Sequence, residues 1–106
     1  MSQISPFEVF SQTFPDVTEA YRAMKRTYGS AGPLDEKTKQ LVQVAIMAAI
    51  GSEGGTRDHA KFALDAGATA DEVLQAVLMV LGPAGMSRAG SGIAWVNEVI
   101  ETRRSS

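Results

Sequence analysis

Leu41-Val42-Gln43-Val44-Ala45-Ile46-Met47-Ala48-Ala49-Ile50 carries one polar side chain, Gln43, and ends at Gly51. Asp35 stands before it as an N-cap, and Glu36, Lys37 and Lys39 give it a charged first half, so the stretch reads as a helix from Glu36 to about Ile50. A helix apolar on every side is either central to its fold or covered by other subunits.

Outward from this helix the punctuation stays helical and no strand pattern competes. Gly51 to Gly55 interrupts the pattern, and a helix from about Thr56 follows, with His59, Phe62, Ala63 and Ala66 on one face and Gly67 to close it. Thr69-Ala70-Asp71-Glu72 is a capping box opening a helix with Val73, Ala76, Val77, Val80 and Leu81 inward, until Gly82-Pro83-Ala84-Gly85 kinks or breaks it. The last helix, Ser87 to about Thr102, begins small (Ala89, Gly90, Ser91, Gly92) and turns bulky at Ile93, Trp95, Val96 and Ile100. Small residues at helical spacing let two backbones approach closely. Upstream, Ser5-Pro6-Phe7-Glu8 and Asp16-Val17-Thr18-Glu19 read as capping boxes for two further helices, with Pro15 ending the first and Gly29, Gly32 and Pro33 the second. The expectation is an all-α, compact array of about five or six helices in a single domain, 1–106.

The totals narrow the function. A net charge of −2 with both signs interspersed gives no basic face for nucleic acid. The absence of cysteine removes disulfides, thiolate metal sites and redox CxxC centres. The start lacks the build of a signal peptide, and the longest apolar runs fall well short of the roughly 20 residues of a membrane span. A soluble, cytoplasmic protein without membrane or nucleic-acid partners is expected.

Polar chemistry collects in Gly51-Ser52-Glu53-Gly54-Gly55-Thr56-Arg57-Asp58-His59. His59, the sole histidine, is the residue whose unperturbed titration lies nearest neutrality, and so the first choice for a general acid or base. Arg57 can hold a substrate carboxylate, and Glu53 can orient the imidazole or exchange a proton. Each has a plainer reading: a lone helical histidine is commonly a satisfied structural residue, Arg57 and Asp58 make an ordinary solvated face, and Glu53 complements a helix N-terminus. One histidine among scattered carboxylates makes no metal site, and neither a P-loop nor a serine elbow is present. Gln40, Gln43 and Met47 fall at i, i+3, i+7 on one stripe, and the glycine-rich break folds the His59 helix back against it. His59 is therefore expected at a pocket lined by Gln40, Gln43 and Met47, with Glu53 and Arg57 near its mouth; the alternative is that a glutamine bonds His59 directly within plain core.

The run from Leu34-Asp35-Glu36-Lys37-Thr38-Lys39-Gln40-Leu41, through the apolar helix and His59-Ala60-Lys61-Phe62-Ala63-Leu64, to Ala66-Gly67-Ala68-Thr69-Ala70-Asp71-Glu72-Val73 resembles the carboxymuconolactone decarboxylase family, whose superfamily includes the alkylhydroperoxidase D-like proteins. The resemblance spans about 33–85. In the peroxidase branch a CxxC precedes the histidine and a glutamate lies about three turns upstream; those positions here are Ser52, Gly55 and Gln40. The decarboxylase branch is the more similar, with Gly51, Glu53, Arg57 and His59 matching its Gly-x-Glu and Arg-x-His, while Pro83-Ala84-Gly85-Met86-Ser87-Arg88 departs from its aromatic-Ala-Gly-x-Pro run. The resemblance implies a cofactor-free, metal-free lyase acting by acid/base chemistry on a small carboxylate or lactone. Catalysis would fall to His59 and Glu53, and substrate binding to Arg57, Gln40, Gln43 and Met47, in a trimer or hexamer. A catalytically silent, oligomeric small-molecule-binding module is the alternative. Thiol peroxidase chemistry comes third, since both cysteines are missing.

Overall fold

Capping and glycine geometry set the helix ends seen in the structure, a computed structural model that describes residues 4–105. The described residues form seven helices and no strand: α1 Pro6–Thr13, α2 Pro15–Gly29, α3 Glu36–Ala49, α4 Glu53–Asp65, α5 Ala70–Leu78, α6 Leu81–Ala84 and α7 Met86–Arg104. They divide into two units, 1–33 with α1 and α2, and 34–106 with the remaining five.

In the first unit Ser5 Oγ accepts from the Glu8 N–H at 3.1 Å, as its position before Pro6 requires. The second helix starts one residue before the expected Asp16 cap. Pro15, with its φ already helical, occupies the first turn, and Phe14 closes α1 through its N–H to Phe10 O (2.8 Å) while serving as the N-cap of α2.

In the second unit α3 and α4 form the most extensive helix pair. Asp35 caps α3 by accepting from the Thr38 N–H (2.8 Å), and Thr69 and Glu72 complete a reciprocal capping box on α5. α3 ends in a Schellman motif: Gly51 takes a φ of +79°, its N–H reaches Ala48 O, and the Ser52 N–H reaches Met47 O. Ser52 then turns to its second task, and its Oγ accepts from the Gly55 N–H as the N-cap of α4. The turn is consequently tighter than the glycine content suggests, and α4 begins at Glu53 rather than near Thr56. The same Schellman geometry, with Gly67 at φ +101°, ends α4. At the expected break, Gly82–Gly85, the chain forms the four-residue helix α6, which starts one residue earlier at Leu81 and is ended by Gly85.

The core is small in its side chains. Val44, Ala48, Ala60, Ala63, Val73, Val77 and Val96 are wholly buried, and no leucine or aromatic joins them. Only close helix approach fills a core of alanine and valine, and Gly92 on α7 provides it. A methyl group there would stand 2.7 Å from Val77 Cγ1 and 2.8 Å from Ala48 Cβ. Replacing a mid-helix glycine by alanine ordinarily gains about 1 kcal/mol. Ala48 Cβ is fixed to the α3 backbone and cannot yield, so overpacking at about 1–3 kcal/mol outweighs the gain. Gly92→Ala is therefore expected to melt below the parent; an unchanged or raised melting temperature would show that α7 sits less tightly on α3 and α5.

The all-round apolar helix divides into two faces. Val44 and Ala48 point into the core, while Val42, Ile46 and Ile50, a stripe at i, i+4, i+8, remain 45%, 46% and 64% exposed. No helix among the described residues is long and apolar enough to cross a membrane.

Candidate functional site

The antiparallel α3–α4 hairpin sets Gln40 beside His59 and Met47 beside Gly55. His59 Nδ1 lies 2.7 Å from Gln40 Oε1, and Gln40 Nε2 donates to Glu36 Oε1 at 2.9 Å. Three residues thus form one chain, two of them one turn apart on α3 and the third, half-buried, on α4. The Phe62 ring meets the imidazole edge-on, with centroids 5.5 Å apart and the planes at 90°. The Glu36 carboxyl is held below the ordinary glutamate range, first by the hydrogen bond from Gln40 and then by Lys39, whose Nζ lies 3.2 Å away. It is a carboxylate at neutral pH.

Glu53 and Arg57 occupy a different seam. Arg57 precedes His59 by two residues, and residues two apart on a helix do not share a face. Its Nε donates to Glu53 Oε2 at 3.0 Å and its Nη2 to Glu98 Oε2 on α7 at 2.7 Å. The Glu98 carboxylate is the main influence raising the Arg57 pKa above its ordinary value, with Glu53 adding to it and desolvation opposing. Glu53 accordingly faces the guanidinium. The geometry gathers Gln40, Met47 and His59 along one line and Glu53 and Arg57 along another. Gln43, half-buried one turn beyond Gln40, is not a member of the hydrogen-bonded chain.

Two partners escaped the sequence reading. Glu36 sits one turn from Gln40, a spacing visible in the sequence, but its place among charged residues marks it as solvated face. Glu98 lies 41 residues from Arg57 and carries no local signal. Among the described residues no group of three or more His, Cys, Asp or Glu side chains is placed to hold a metal. A cleft of about 210 Å³ lined by Leu64, Ala70, Ile100, Arg103 and Arg104 lies apart from the His59 chain.

Ser52 and Gly55 have structural duties. Ser52 caps α4, and a Cβ on Gly55 would overlap Met47 Sδ and stand 2.8 Å from Ser52 Oγ. Cysteines at both positions would weaken the cap and crowd Met47, and a lost N-cap alone costs about 1 kcal/mol. The Ser52→Cys, Gly55→Cys protein is expected to melt below the parent. The parent should reduce no peroxide with dithiols, because no residue can form a sulfenate. Protein-dependent peroxide turnover by the parent, or an unshifted melt of the double variant, would contradict this.

Comparison with known proteins agrees with the fold. Residues 15–98 match the carboxymuconolactone decarboxylase family. The chain is 30% identical over 92 residues to uncharacterized protein MJ1511 of Methanocaldococcus jannaschii, covering 87% of this chain and 86% of that one. It is 28% identical over 90 residues to uncharacterized protein 4 in the cox locus of Paracoccus denitrificans, covering 85% and 78%. No solved structure gives a significant match. With the matched segment spanning most of the chain and the helices in place, this cysteine-less, all-α protein belongs to the carboxymuconolactone decarboxylase family.

Proposed function

We propose that the protein carries out cofactor-free acid/base chemistry, decarboxylation or a related proton transfer, on a small carboxylate or lactone in the cytoplasm, with His59 as the proton carrier. The observation that carries this reading is the 2.7 Å hydrogen bond between His59 Nδ1 and the accepting carbonyl oxygen of Gln40. A ring held at Nδ1 exchanges protons at Nε2 without reorganising its support. In a decarboxylation the bond to the carboxylate breaks, its electron pair passes into the conjugated lactone, carbon dioxide leaves, and one proton must be delivered to the product. His59 supplies that proton, with Gln43 and Met47 on α3, further along from Gln40, as binding residues. Arg57, held by Glu53 and Glu98 on a seam that does not share the His59 face, takes no part in that step. The active form is a trimer or hexamer.

A second reading, a catalytically silent oligomeric binding module, is favoured by a different observation: Arg57 is already engaged by two carboxylates, and the acidic position of the family's relay is Gln40. A thermal-shift screen of small acids and lactones separates the readings when it is followed by turnover of every hit. Bound ligand raises stability by mass action, about 2.7 kcal/mol at a hundredfold excess over Kd. Hits that are also consumed support the lyase reading, hits that bind unchanged support the module, and a panel without hits overturns both.

A further inference from the structure

The chain Glu36–Gln40–His59 has a direction, because its members differ in what they can donate. A carboxylate only accepts, so the Gln40 group that reaches Glu36 Oε1 at 2.9 Å is the amide NH2. The Gln40 carbonyl is thereby turned to His59 Nδ1, 2.7 Å away. A carbonyl only accepts, so Nδ1 must carry the hydrogen. Neutral imidazole in water prefers the opposite tautomer, with the hydrogen on Nε2. The bond made at one ring nitrogen decides the state of the other.

We propose that Glu36 is a positioning residue: by orienting the Gln40 amide it locks His59 as the Nδ1–H tautomer and leaves Nε2 as the atom that takes up and delivers the proton. This rests on the acid/base role given to His59 above, but it concerns the resting ring and can be read without substrate. The lock keeps one orientation through a proton-transfer cycle. Imidazolium donates from both nitrogens, so Nδ1–H stays on the Gln40 carbonyl whether or not Nε2 is protonated. Glu36 thus performs at a distance of one helical turn the orienting work that a carboxylate in direct contact would perform, and it does so without placing a full negative charge against the ring. Lys39 shares the Glu36 carboxylate through its other oxygen, Oε2, at 3.2 Å, leaving Oε1 to Gln40. Without Glu36 the amide can turn over, present its NH2 to Nδ1, and stabilise the Nε2–H form.

Nitrogen-15 NMR of the full, untagged chain tests this directly, because His59 is the sole histidine and gives the only imidazole signals. Spectra are recorded through an alkaline pH series until the ring shifts no longer change. The parent is expected to show a pyrrole-type shift at Nδ1 and a pyridine-type shift at Nε2. In Glu36→Ala the two shifts should move toward each other or exchange, and in Glu36→Gln, which can donate as well as accept, they should lie between. Glu36 is exposed at the first turn of α3, so both variants should fold, which their amide spectra will verify. Lys39→Met, which leaves the Glu36–Gln40 bond intact, should keep the parental shifts. An Nε2–H ring in the parent, or an Nδ1–H ring that Glu36→Ala leaves untouched, would overturn the proposal. A locked ring in a protein that turns over no substrate would contradict the catalytic reading and leave the lock standing.

Discussion

Light scattering at micromolar concentration should find a trimer or hexamer, and Ile46→Glu combined with Ile50→Glu should convert it to a monomer. The reason is the unshared face of α3. Val42, Ile46 and Ile50 lie outward on one stripe while Val44 and Ala48 fill the core. Elsewhere in the same unit Leu78 (52%), Met79 (66%) and Met86 (70%) add further exposed apolar surface, more than a small monomer usually shows to water. Fully burying an isoleucine is worth about 1.5–3 kcal/mol, so two carboxylates in place of two isoleucines forfeit that gain twice and add charge that must be desolvated. Both residues are exposed within the subunit, so the variant should keep its helical circular dichroism. A parent that runs as a stable monomer would contradict the assembly and the account of why α3 is apolar on both faces.

His59→Gln should lower turnover by about 10²–10⁴-fold, the usual contribution of a positioned general acid or base, while changing stability little. The side chain is half-buried, and the contacts it forfeits include one hydrogen bond, worth about 1 kcal/mol net, and an edge contact with Phe62. The new carboxamide can still donate toward Gln40. Turnover measured beside the melting temperature distinguishes the roles. A large fall in activity with a shift of a few degrees at most supports a proton carrier. A collapse of the melting temperature with ligand response intact would make His59 a structural residue.

The features most legible in the sequence were those whose physics is local. Asp35 and Thr69 cap helices because their side chains reach N–H groups three residues on, and Gly67 closes α4 because it takes a positive φ. The direct Gln40–His59 bond, the alternative to a pocket there, also followed from local pattern: a polar stripe on an apolar helix, a short break, and a helix folded back upon it. The start of α4 was less legible, because Ser52 and the two glycines after it read as connector until the Schellman turn at Gly51 makes Ser52 a cap. The Arg57 environment depends on Glu98, which only the packing of α7 brings close, so periodicity along α4 alone suggested a guanidinium near the imidazole. Glu36 was hidden differently. Its spacing from Gln40 is visible, but charged residues at the first turn of a helix are ordinarily solvent-facing, and only the geometry of the neighbouring amide gives this one a further task.

The most direct measurement of the central claim follows solvent hydrogen into product. The protein is incubated in deuterium oxide with a panel of unsaturated lactone carboxylates, and carbon dioxide release and deuterium incorporation are read by NMR against buffer and against His59→Gln. The account predicts that a substrate of this class loses its carboxylate and gains one deuterium per turnover, with both signals lost in His59→Gln. Undiminished release and labelling by His59→Gln, or a panel that the parent leaves untouched, would contradict it.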